Sequence, residues 1–169
     1  SDEVAPLARF GDPKYISHLN TSGHNPKGFI NNTHENTIKF NTHFVQKIRK
    51  NMDDIVRTKS YHMEDAEYVL ISFGCSVRSA LGAMEIGREQ GIKIGVLHLI
   101  TVWPFPDEMI REICANAKAV FVPEMNQGML IREIQRVNHS NTPVVGVNRI
   151  DTEMITPTEI LDAIRREMK

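Results

Sequence analysis

A short polar stretch with side chains suited to ligand binding separates two apolar segments in VFVPEMNQGMLIREI (Val120 to Ile134). Glu124 and Asn126 could bind a hydroxyl or an amine of a ligand, because carboxylate and amide oxygens accept hydrogen bonds. They could instead accept backbone N–H bonds and brace neighbouring loops, while Gly128 eases the entry into a helix. The structural role is the favoured interpretation, and it makes this stretch a corner between a strand and a helix.

A second candidate site is FGCSVRS (Phe73 to Ser79), which opens a helical pattern. Gly74 permits a tight turn, and Ser76 with the backbone N–H groups that follow could hold an anion at the start of the helix. Cys75 could act as a nucleophile if a base lay nearby. The phosphate-binding patterns GxGxxG and GxxxxGK[ST] are both missing. The competing interpretation is therefore that Ser76 only caps the helix and Cys75 only packs.

The third candidate is TVWPFPDE (Thr101 to Glu108), where Trp103, Pro104, Phe105 and Pro106 form a stiff segment. Each proline fixes its own φ angle and restricts the residue before it. Two aromatic side chains on a rigid loop could dock a partner protein or another domain. They could equally cover the end of the sheet in their own domain, and the sequence does not decide between these roles.

The positions of the histidines and cysteines disfavour metal binding. The first part of the chain carries five of the seven histidines, namely His18, His24, His34, His43 and His62. Their spacing matches neither H-x3-H nor HExxH, and the two cysteines form no CxxC pair. We therefore expect neither a metal site nor an iron–sulfur cluster in this chain.

Length and charge exclude several classes of protein. The 169 residues suit one domain with a hydrophobic core, and the formal net charge is −1. A protein that binds nucleic acid or an anionic membrane would show a basic excess. The apolar runs are well short of the roughly 20 residues of a membrane span, and no secretory signal opens the chain. We expect a cytoplasmic protein that binds neither nucleic acid nor membrane.

The N-terminal third of the chain is expected to form an arm and one long helix. Residues 1–35 are rich in Asn, His, Gly and Pro without periodicity, as in an irregular arm. Apolar residues then recur at helical spacing from Ile38 to Val56. The polar segment Ser60 to Glu67 is interpreted as a connection. We therefore place the arm and linker helix at 1–60 and an α/β domain at 61–169.

From residue 68 onward, strand and helix patterns alternate. Four continuous apolar runs predict strands buried on both faces, namely Tyr68–Gly74, Ile92–Leu99, Ala119–Val122 and Pro143–Val147. An amphipathic helical pattern follows each run, and Thr156, Pro157 and Glu159 form a capping box before the last one. The alternation predicts a three-layer α/β/α domain with a mainly parallel sheet, whose strand order the sequence does not determine.

The order of these stretches resembles a known family. The run LISFGCSVRSALGAMEIGREQGIKIGVLHLITVWPFPDEMI, followed by AVFVPEMNQGMLIREI, is similar to the C-terminal domain of the α subunit of 2-oxoacid:ferredoxin oxidoreductases, particularly the 2-oxoglutarate type. That domain is similar to the transketolase C-terminal domain. The matching positions are Gly74-Cys75-Ser76, Pro104-Phe105-Pro106 and Glu124 to Leu130, although Met129 replaces the usual glutamine. The arm at Tyr15–Gly28 is similar to the family's linker.

The resemblance implies one domain of an enzyme that oxidatively decarboxylates a 2-oxoacid to an acyl-CoA. Such enzymes use thiamine diphosphate, Mg²⁺, iron–sulfur clusters and coenzyme A, and they pass electrons to ferredoxin. This chain has no Gly-Asp-Gly diphosphate motif, since Pro13 follows Gly11-Asp12. We therefore expect no cofactor and no activity in the chain alone.

The expected role is structural. The resemblance implies docking against a catalytic β subunit and the pyrimidine-binding domain of the same α subunit, within an oligomer. Trp103–Pro106 and Glu124–Gly128 then lie near an interface. We expect alanine at Glu124 or Asn126 to weaken this assembly more than it lowers the melting temperature of the isolated domain. Two other functions remain open: a self-sufficient α/β module that binds a small anion at Gly74–Ser76, and a pure protein-interaction domain.

Overall fold

The structure is a computed structural model that describes residues 9–14, 22–25 and 27–168. Residues 15–21 and 26 of the arm motif, His18 among them, lie outside the described residues. Within these ranges the helices are α1 (His34–Lys50), α2 (Met52–Ile55), α3 (Ser76–Glu89), α4 (Asp107–Asn116), α5 (Leu130–Val137) and α6 (Pro157–Glu167). The strands are β1 (Thr58–Tyr61), β2 (Tyr68–Ser72), β3 (Ile94–Leu99), β4 (Ala119–Glu124) and β5 (Val144–Asn148). The chain divides into two compact units, Ser1–Lys50 and Asn51–Lys169.

In the first unit, a polar loop leads into α1. Thr33 Oγ1 accepts a hydrogen bond from the backbone N–H of Asn36 at 3.4 Å, as capping side chains do at helix starts. The side-chain amide of Asn36 in turn donates to the carbonyl of Asn31 at 2.7 Å. The linker helix is shorter than the periodicity predicts. It ends at Lys50 because Asn51 leaves the helical region, with φ −114° and ψ 19°.

The second unit is built on one five-stranded sheet with the order β1-β3-β2-β4-β5. The four strands that the apolar runs predict are parallel to one another. Leu70 of β2, for example, is aligned with Val96 of β3 and Phe121 of β4. Every residue of β2 and β4 is buried, as expected of central strands that are covered on both faces.

The antiparallel strand β1 includes Ser60 and Tyr61 of the predicted connection Ser60 to Glu67, whose other residues do connect β1 to β2. Thr58 lies opposite Leu99 and Tyr61 lies opposite Val96 in the register with β3. The two central residues of β1 are exposed, so the strand lacks the apolar run that identifies the other four. The predicted boundary after residue 60 falls inside this strand.

Helices cover both faces of the sheet and complete three layers. On one face, α3 and α6 contribute buried residues that include Ala80, Met84, Ile160 and Ile164. On the other face, α4 and α5 contribute Ile110, Cys114, Leu130, Ile134 and Val137. The predicted three-layer α/β/α architecture with a mainly parallel sheet is confirmed.

Two helix starts were predicted from the sequence, and one of them is wrong. At α6 the capping box forms: Thr156 Oγ1 accepts from the N–H of Glu159 at 3.3 Å, and the Glu159 carboxylate accepts from the N–H of Thr156 at 2.7 Å. At α3, Ser76 is not the cap but the first helical residue. Cys75 precedes it with helical dihedrals (φ −67°, ψ −30°) and makes no side-chain capping bond.

Candidate functional site

The sequence-predicted site residues all lie along one edge of the sheet. Because β2 to β5 are parallel, their carboxyl ends meet at this carboxyl edge. The connections there are residues 73–75 after β2, 100–106 after β3, 125–129 after β4 and 149–156 after β5. Gly74–Ser76, Trp103–Pro106 and Glu124–Gly128 are therefore brought to the same edge by three different strands.

The carboxyl ends of the neighbouring strands β2 and β4 form the switch point of the sheet, where open α/β proteins often bind ligands. Helix α3, which follows β2, covers one face of the sheet, and helix α5, which follows β4, covers the other. Groups of the protein itself contact each other at this switch point. Cys75 Sγ lies 3.7 Å from Met125 Sδ, and Ser72 Oγ donates a hydrogen bond of 2.7 Å to the carbonyl of Pro123. A ligand at the switch point would have to displace them.

Glu124 is a buried carboxylate at the end of β4, with 1% of its surface exposed. Its Oε2 atom accepts backbone N–H bonds from Met129 at 3.1 Å and from Leu130 at 2.8 Å. Its Oε1 atom accepts the N–H of Ile131 at 3.1 Å. These three N–H groups lie at the start of α5. Met129, the residue just before the helix, makes no side-chain capping bond. Glu124 therefore satisfies the helix start from the preceding strand, and the negative charge favours that helix end.

Asn126 holds the loop between Glu124 and the helix. Its Oδ1 atom accepts the N–H groups of Gly128 at 2.9 Å and Met129 at 2.8 Å. Gly128 adopts a φ of +85°, which glycine tolerates far better than other residues. The carbonyl of Asn126 also accepts a hydrogen bond from the side-chain amide of Asn148, the last residue of β5, at 3.1 Å. The amide oxygen of Asn126 is thus committed to the backbone of its own turn.

The Gly74-Cys75-Ser76 turn has a left-handed glycine, with φ +60° at Gly74. Cys75 is exposed, and the contact described for its thiol is with the thioether of Met125, which is not a base. Ser76 is buried. The described contacts provide no activation for a nucleophile, and anion binding at this turn stays a prediction.

The Trp103–Pro106 segment is anchored at its proline end and exposed at its tryptophan end. Pro104 and Pro106 are buried, and Phe105 packs against the core on the α4 and α5 face. The side chain of Trp103 is 72% exposed, and the Trp103–Pro104 peptide bond is cis. Phe105 therefore covers its own domain, as one interpretation predicts, whereas Trp103 does not.

Charged residues of α4 and α5 hold the Trp103–Pro106 segment in place. Arg136 donates to both carboxylate oxygens of Asp107, at 2.9 and 2.7 Å, and to Glu133 at 2.8 Å. Its guanidinium carbon lies 5.9 Å from the centre of the Phe105 ring. The hydrogen bond from Arg136 holds the pKa of Asp107 below its ordinary value of 3.8. The loop is thus tied to two helices by an ion pair and a cation–π contact.

The start of the same loop is tied to the segment before β1. The backbone N–H groups of Ile100 and Thr101 both donate to the carbonyl of Arg57 at 3.0 Å. Thr101 Oγ1 donates to the carbonyl of Ile55 at 2.9 Å and accepts the N–H of Arg57 at 3.2 Å. The loop that carries Trp103 is therefore fixed at both ends.

Exposed apolar side chains lie in three of the four connections at the carboxyl edge. We call them the edge patch, which consists of Ile100, Val102, Trp103, Met129, Ile150 and Met154. Among them, Met129 is 70% exposed and Ile150 is 68% exposed. Sequence reasoning identified only Trp103. The signal for the others was available, because each is an apolar residue outside the periodic positions of a strand or helix.

The described part of the chain holds neither a group of metal ligands nor a helix suited to span a membrane. No three His, Cys, Asp or Glu side chains there are grouped so that they could hold a metal ion. None of the helices in the same ranges combines the length and apolar character needed to cross a membrane.

Sequence comparisons give a consistent result. Residues 66–160 match the family described as pyruvate:ferredoxin oxidoreductase core domain II. The 2-oxoglutarate synthase subunit KorA of Methanocaldococcus jannaschii is 35% identical over 164 residues, which cover 96% of this chain and 44% of that relative. The ketoisovalerate oxidoreductase subunit VorB of Methanothermobacter marburgensis is 35% identical over 127 residues, or 75% of this chain and 36% of the relative. The chain thus spans less than half of either relative.

Solved structures show the same fold. A 2-oxoglutarate:ferredoxin oxidoreductase from Magnetococcus marinus, with 2-oxoglutarate, coenzyme A and succinyl-CoA bound, superposes with a TM-score of 0.82 at 23% identity. The match covers 99% of this chain and 29% of that one. A split-gene transketolase, an inactive β4 tetramer, superposes with a TM-score of 0.57 at 21% identity over 66% of this chain and 41% of the other. The second match agrees with a transketolase C-terminal-like fold.

Proposed function

Because the chain belongs to the family of pyruvate:ferredoxin oxidoreductase core domain II, we propose that it is a non-catalytic assembly domain in the α subunit of a 2-oxoacid:ferredoxin oxidoreductase. The whole enzyme oxidatively decarboxylates a 2-oxoacid to an acyl-CoA and passes the electrons to ferredoxin. The relative named 2-oxoglutarate synthase supports 2-oxoglutarate as the substrate. The relative named ketoisovalerate oxidoreductase makes a branched 2-oxoacid the competing choice.

The observation that carries the assembly role is the contrast between polar and apolar groups at the carboxyl edge. The polar candidates there stabilise the fold, because the side-chain oxygens of Glu124 and Asn126 accept hydrogen bonds from backbone N–H groups. The Cys75–Met125 contact fills the switch point. The accessible groups at this edge include the apolar edge patch, above all Trp103 on a loop that is fixed at both ends, beside exposed polar residues such as Gln127 and Asp151. Exposed aromatic anchors on rigid supports are typical of protein interfaces.

The iron–sulfur clusters of such an enzyme do not fit the cysteines of this chain. An iron–sulfur cluster needs several thiolates together, whereas Cys75 is exposed in a loop and Cys114 is buried in α4. Burial also raises the pKa of the Cys114 thiol, which disfavours a thiolate ligand. We therefore assign the clusters to other parts of the enzyme and, as the resemblance implies, thiamine diphosphate and Mg²⁺ to the pyrimidine-binding domain of the same α subunit and to the catalytic β subunit.

The test is binding of the purified chain to the purified catalytic β subunit, measured by isothermal titration calorimetry. We expect Trp103→Ala to weaken binding by at least about tenfold, because truncating a central aromatic anchor removes about 1–2 kcal/mol or more of binding free energy. The unfolding temperature should stay unchanged, since the side chain is mostly exposed. Ile86→Ser is the matched control, because Ile86 is also an exposed apolar residue but lies in the middle of α3.

Three results would contradict the proposal. The first is that Trp103→Ala and Ile86→Ser leave the affinity equal. The second is turnover of a 2-oxoacid by the purified chain alone. The third is a rise in the unfolding temperature of the chain with phosphate or coenzyme A, because a native-state ligand stabilises the fold by mass action. That rise would support the anion-binding module at Gly74–Ser76 instead.

A further inference from the structure

Within the residues that the structure describes, helix α1 has an apolar face that stays largely exposed. At 100° per residue, Ile38, Phe40, Phe44, Val45 and Ile48 fall on one side of the helix. Ile38 is 54% exposed, and Phe44 and Val45 are each 49% exposed. None of the 17 residues of α1 is buried. An amphipathic helix of this kind normally has its apolar side covered.

The aromatic residues on this face form a preformed anchor. The rings of Phe40 and Phe44 meet edge to face, with centroids 4.6 Å apart. His43 also meets Phe44 edge to face, with centroids 5.6 Å apart. The ring of Phe44 thus contacts two neighbouring rings while half of its surface stays exposed. Such an ordered aromatic side chain loses little conformational freedom on binding.

The polar side of α1 is strongly basic although the chain as a whole is nearly neutral. The helix carries Lys39, Lys47, Arg49 and Lys50 against one acid, Glu35. On a helical projection, Lys47 and Arg49 border the apolar face on its two sides. The apolar face is therefore flanked by positive charge along both borders.

The positive charges along both borders of the apolar face indicate which kind of partner can bind there. A second copy of α1 carries the same excess of basic side chains, four against the single acid Glu35, so like charges oppose pairing of two copies in either orientation. A groove with acidic side chains along its rims would instead attract both borders while its floor covers the apolar face.

We propose that α1 docks into an apolar groove with acidic rims on the catalytic β subunit. This inference rests on the proposed function for the existence of that subunit, but it concerns a different surface from the edge patch. Phe44, Val45 and Ile38 supply the apolar contact, and Lys47 and Arg49 supply the pairing with the rims. The interaction is weakened by salt, because its charged part is exposed at the borders.

The test uses the whole chain and the purified catalytic β subunit, with calorimetry at low and high NaCl. The double variant Ile38→Gln plus Val45→Gln removes apolar surface without disfavouring the helix, since glutamine is a better helix former than isoleucine or valine. Arg49→Glu reverses one border charge. Gln46→Ala, on the polar side, is the matched control. Circular dichroism checks that the helical content of each variant equals that of the wild type.

We expect the double variant and Arg49→Glu each to weaken binding at least about tenfold at low salt, and Gln46→Ala to bind as the wild type does. We also expect Arg49→Glu to reduce the salt dependence. Wild-type affinity in the double variant would overturn the inference. So would two other results: binding of the wild type to vesicles of equal neutral and anionic phospholipid that the double variant lacks, or wild-type dimers in sedimentation that the double variant does not form.

The outcomes for the two proposals can be told apart. If the wild-type chain does not bind the β subunit at all, both the assembly function and the docking of α1 are wrong. If the wild type binds, and Trp103→Ala weakens binding while the double variant of α1 does not, only the inference about α1 is wrong.

Discussion

The sulfur atoms of Cys75 and Met125 lie 3.7 Å apart, across the point where the sheet reverses its direction of winding. Cys75 comes from the connection after β2 and Met125 from the connection after β4, so the contact joins two loops that are distant in sequence. In ligand-binding α/β domains this position is an open crevice. Here the two sulfur atoms contact each other across that position.

The two cysteines should differ sharply in reactivity. Cys75 is exposed, whereas Cys114 is fully buried and the pKa of its thiol is raised by burial. Ellman's reagent should therefore modify one thiol of the native chain quickly, and the second only after unfolding in denaturant. Cys75→Ser should remove the fast phase completely. A fast phase that survives in this variant would show that Cys114 is accessible.

Glu124 should contribute to the stability of the domain itself. Glu124→Ala leaves the N–H groups of Leu130 and Ile131 without their acceptor, while the N–H of Met129 keeps Asn126, so we expect a loss of about 2–4 kcal/mol in the free energy of unfolding. Glu124→Gln keeps one acceptor oxygen, so its loss should be smaller, about 1–2 kcal/mol. Urea unfolding followed by circular dichroism measures both.

This burial revises the expectation that alanine at Glu124 mainly weakens assembly. Glu85→Gln is the matched control, because Glu85 is an exposed glutamate of α3; its effect should stay within about 0.5 kcal/mol. Equal stability of Glu124→Ala and wild type would contradict the assigned role of the carboxylate.

Two left-handed glycines allow a paired comparison. Gly91 has φ +80° with no atom within 4 Å of an added Cβ, whereas Gly128 has φ +85° with Ile131 Cγ2 at 3.1 Å. Gly91→Ala should lower the free energy of unfolding by about 1–2 kcal/mol through backbone strain alone. Gly128→Ala should lower it further, because Ile131 must also move. Thermal or urea unfolding of the two variants measures both losses of unfolding free energy. A smaller loss for Gly128→Ala than for Gly91→Ala would contradict this explanation.

The ion pair of Asp107 and Arg136 should stabilise the fold only above a certain pH. Arg136 lowers the pKa of Asp107 in the folded state, so the stabilisation is complete above the ordinary value of 3.8 and is lost as the pH falls through the folded pKa. The difference in unfolding free energy between wild type and Asp107→Asn should be constant near neutral pH and shrink on acidification. Urea unfolding down to the lowest pH at which both proteins fold measures this difference. A difference that grows in acid would contradict the assignment.

The central part of the fold was predictable because burial leaves a direct trace in sequence. β2 to β5 are runs of apolar residues, and their predicted limits lie within two residues of the observed ones. β1 left no such trace, since an edge strand with exposed central residues needs no apolar run. The break at Asn51 was also hidden, because Met52 and Ile55 continue the apolar period of α1.

The site was predictable in its residues but not in its contacts. The acid that ends VFVPE pointed to Glu124, yet its burial depends on how α5 turns back over β4. The Cys75–Met125 contact requires β2 and β4 to be neighbours, and strand order is a tertiary property that no local pattern encodes. For the same reason the sequence could not show that Trp103 projects outward while Phe105 packs inward.

The hydrogen bonds from Ile100 and Thr101 to Arg57 have a practical consequence for anyone who shortens this protein. A fragment that starts at residue 62 loses β1 as well, so the backbone of β3 becomes a bare edge on which other molecules can add strands and aggregate. The same cut frees one end of the tryptophan-bearing loop. A fragment for binding studies should therefore begin no later than Asn51, or a failure to bind will reflect the truncation and not the surface.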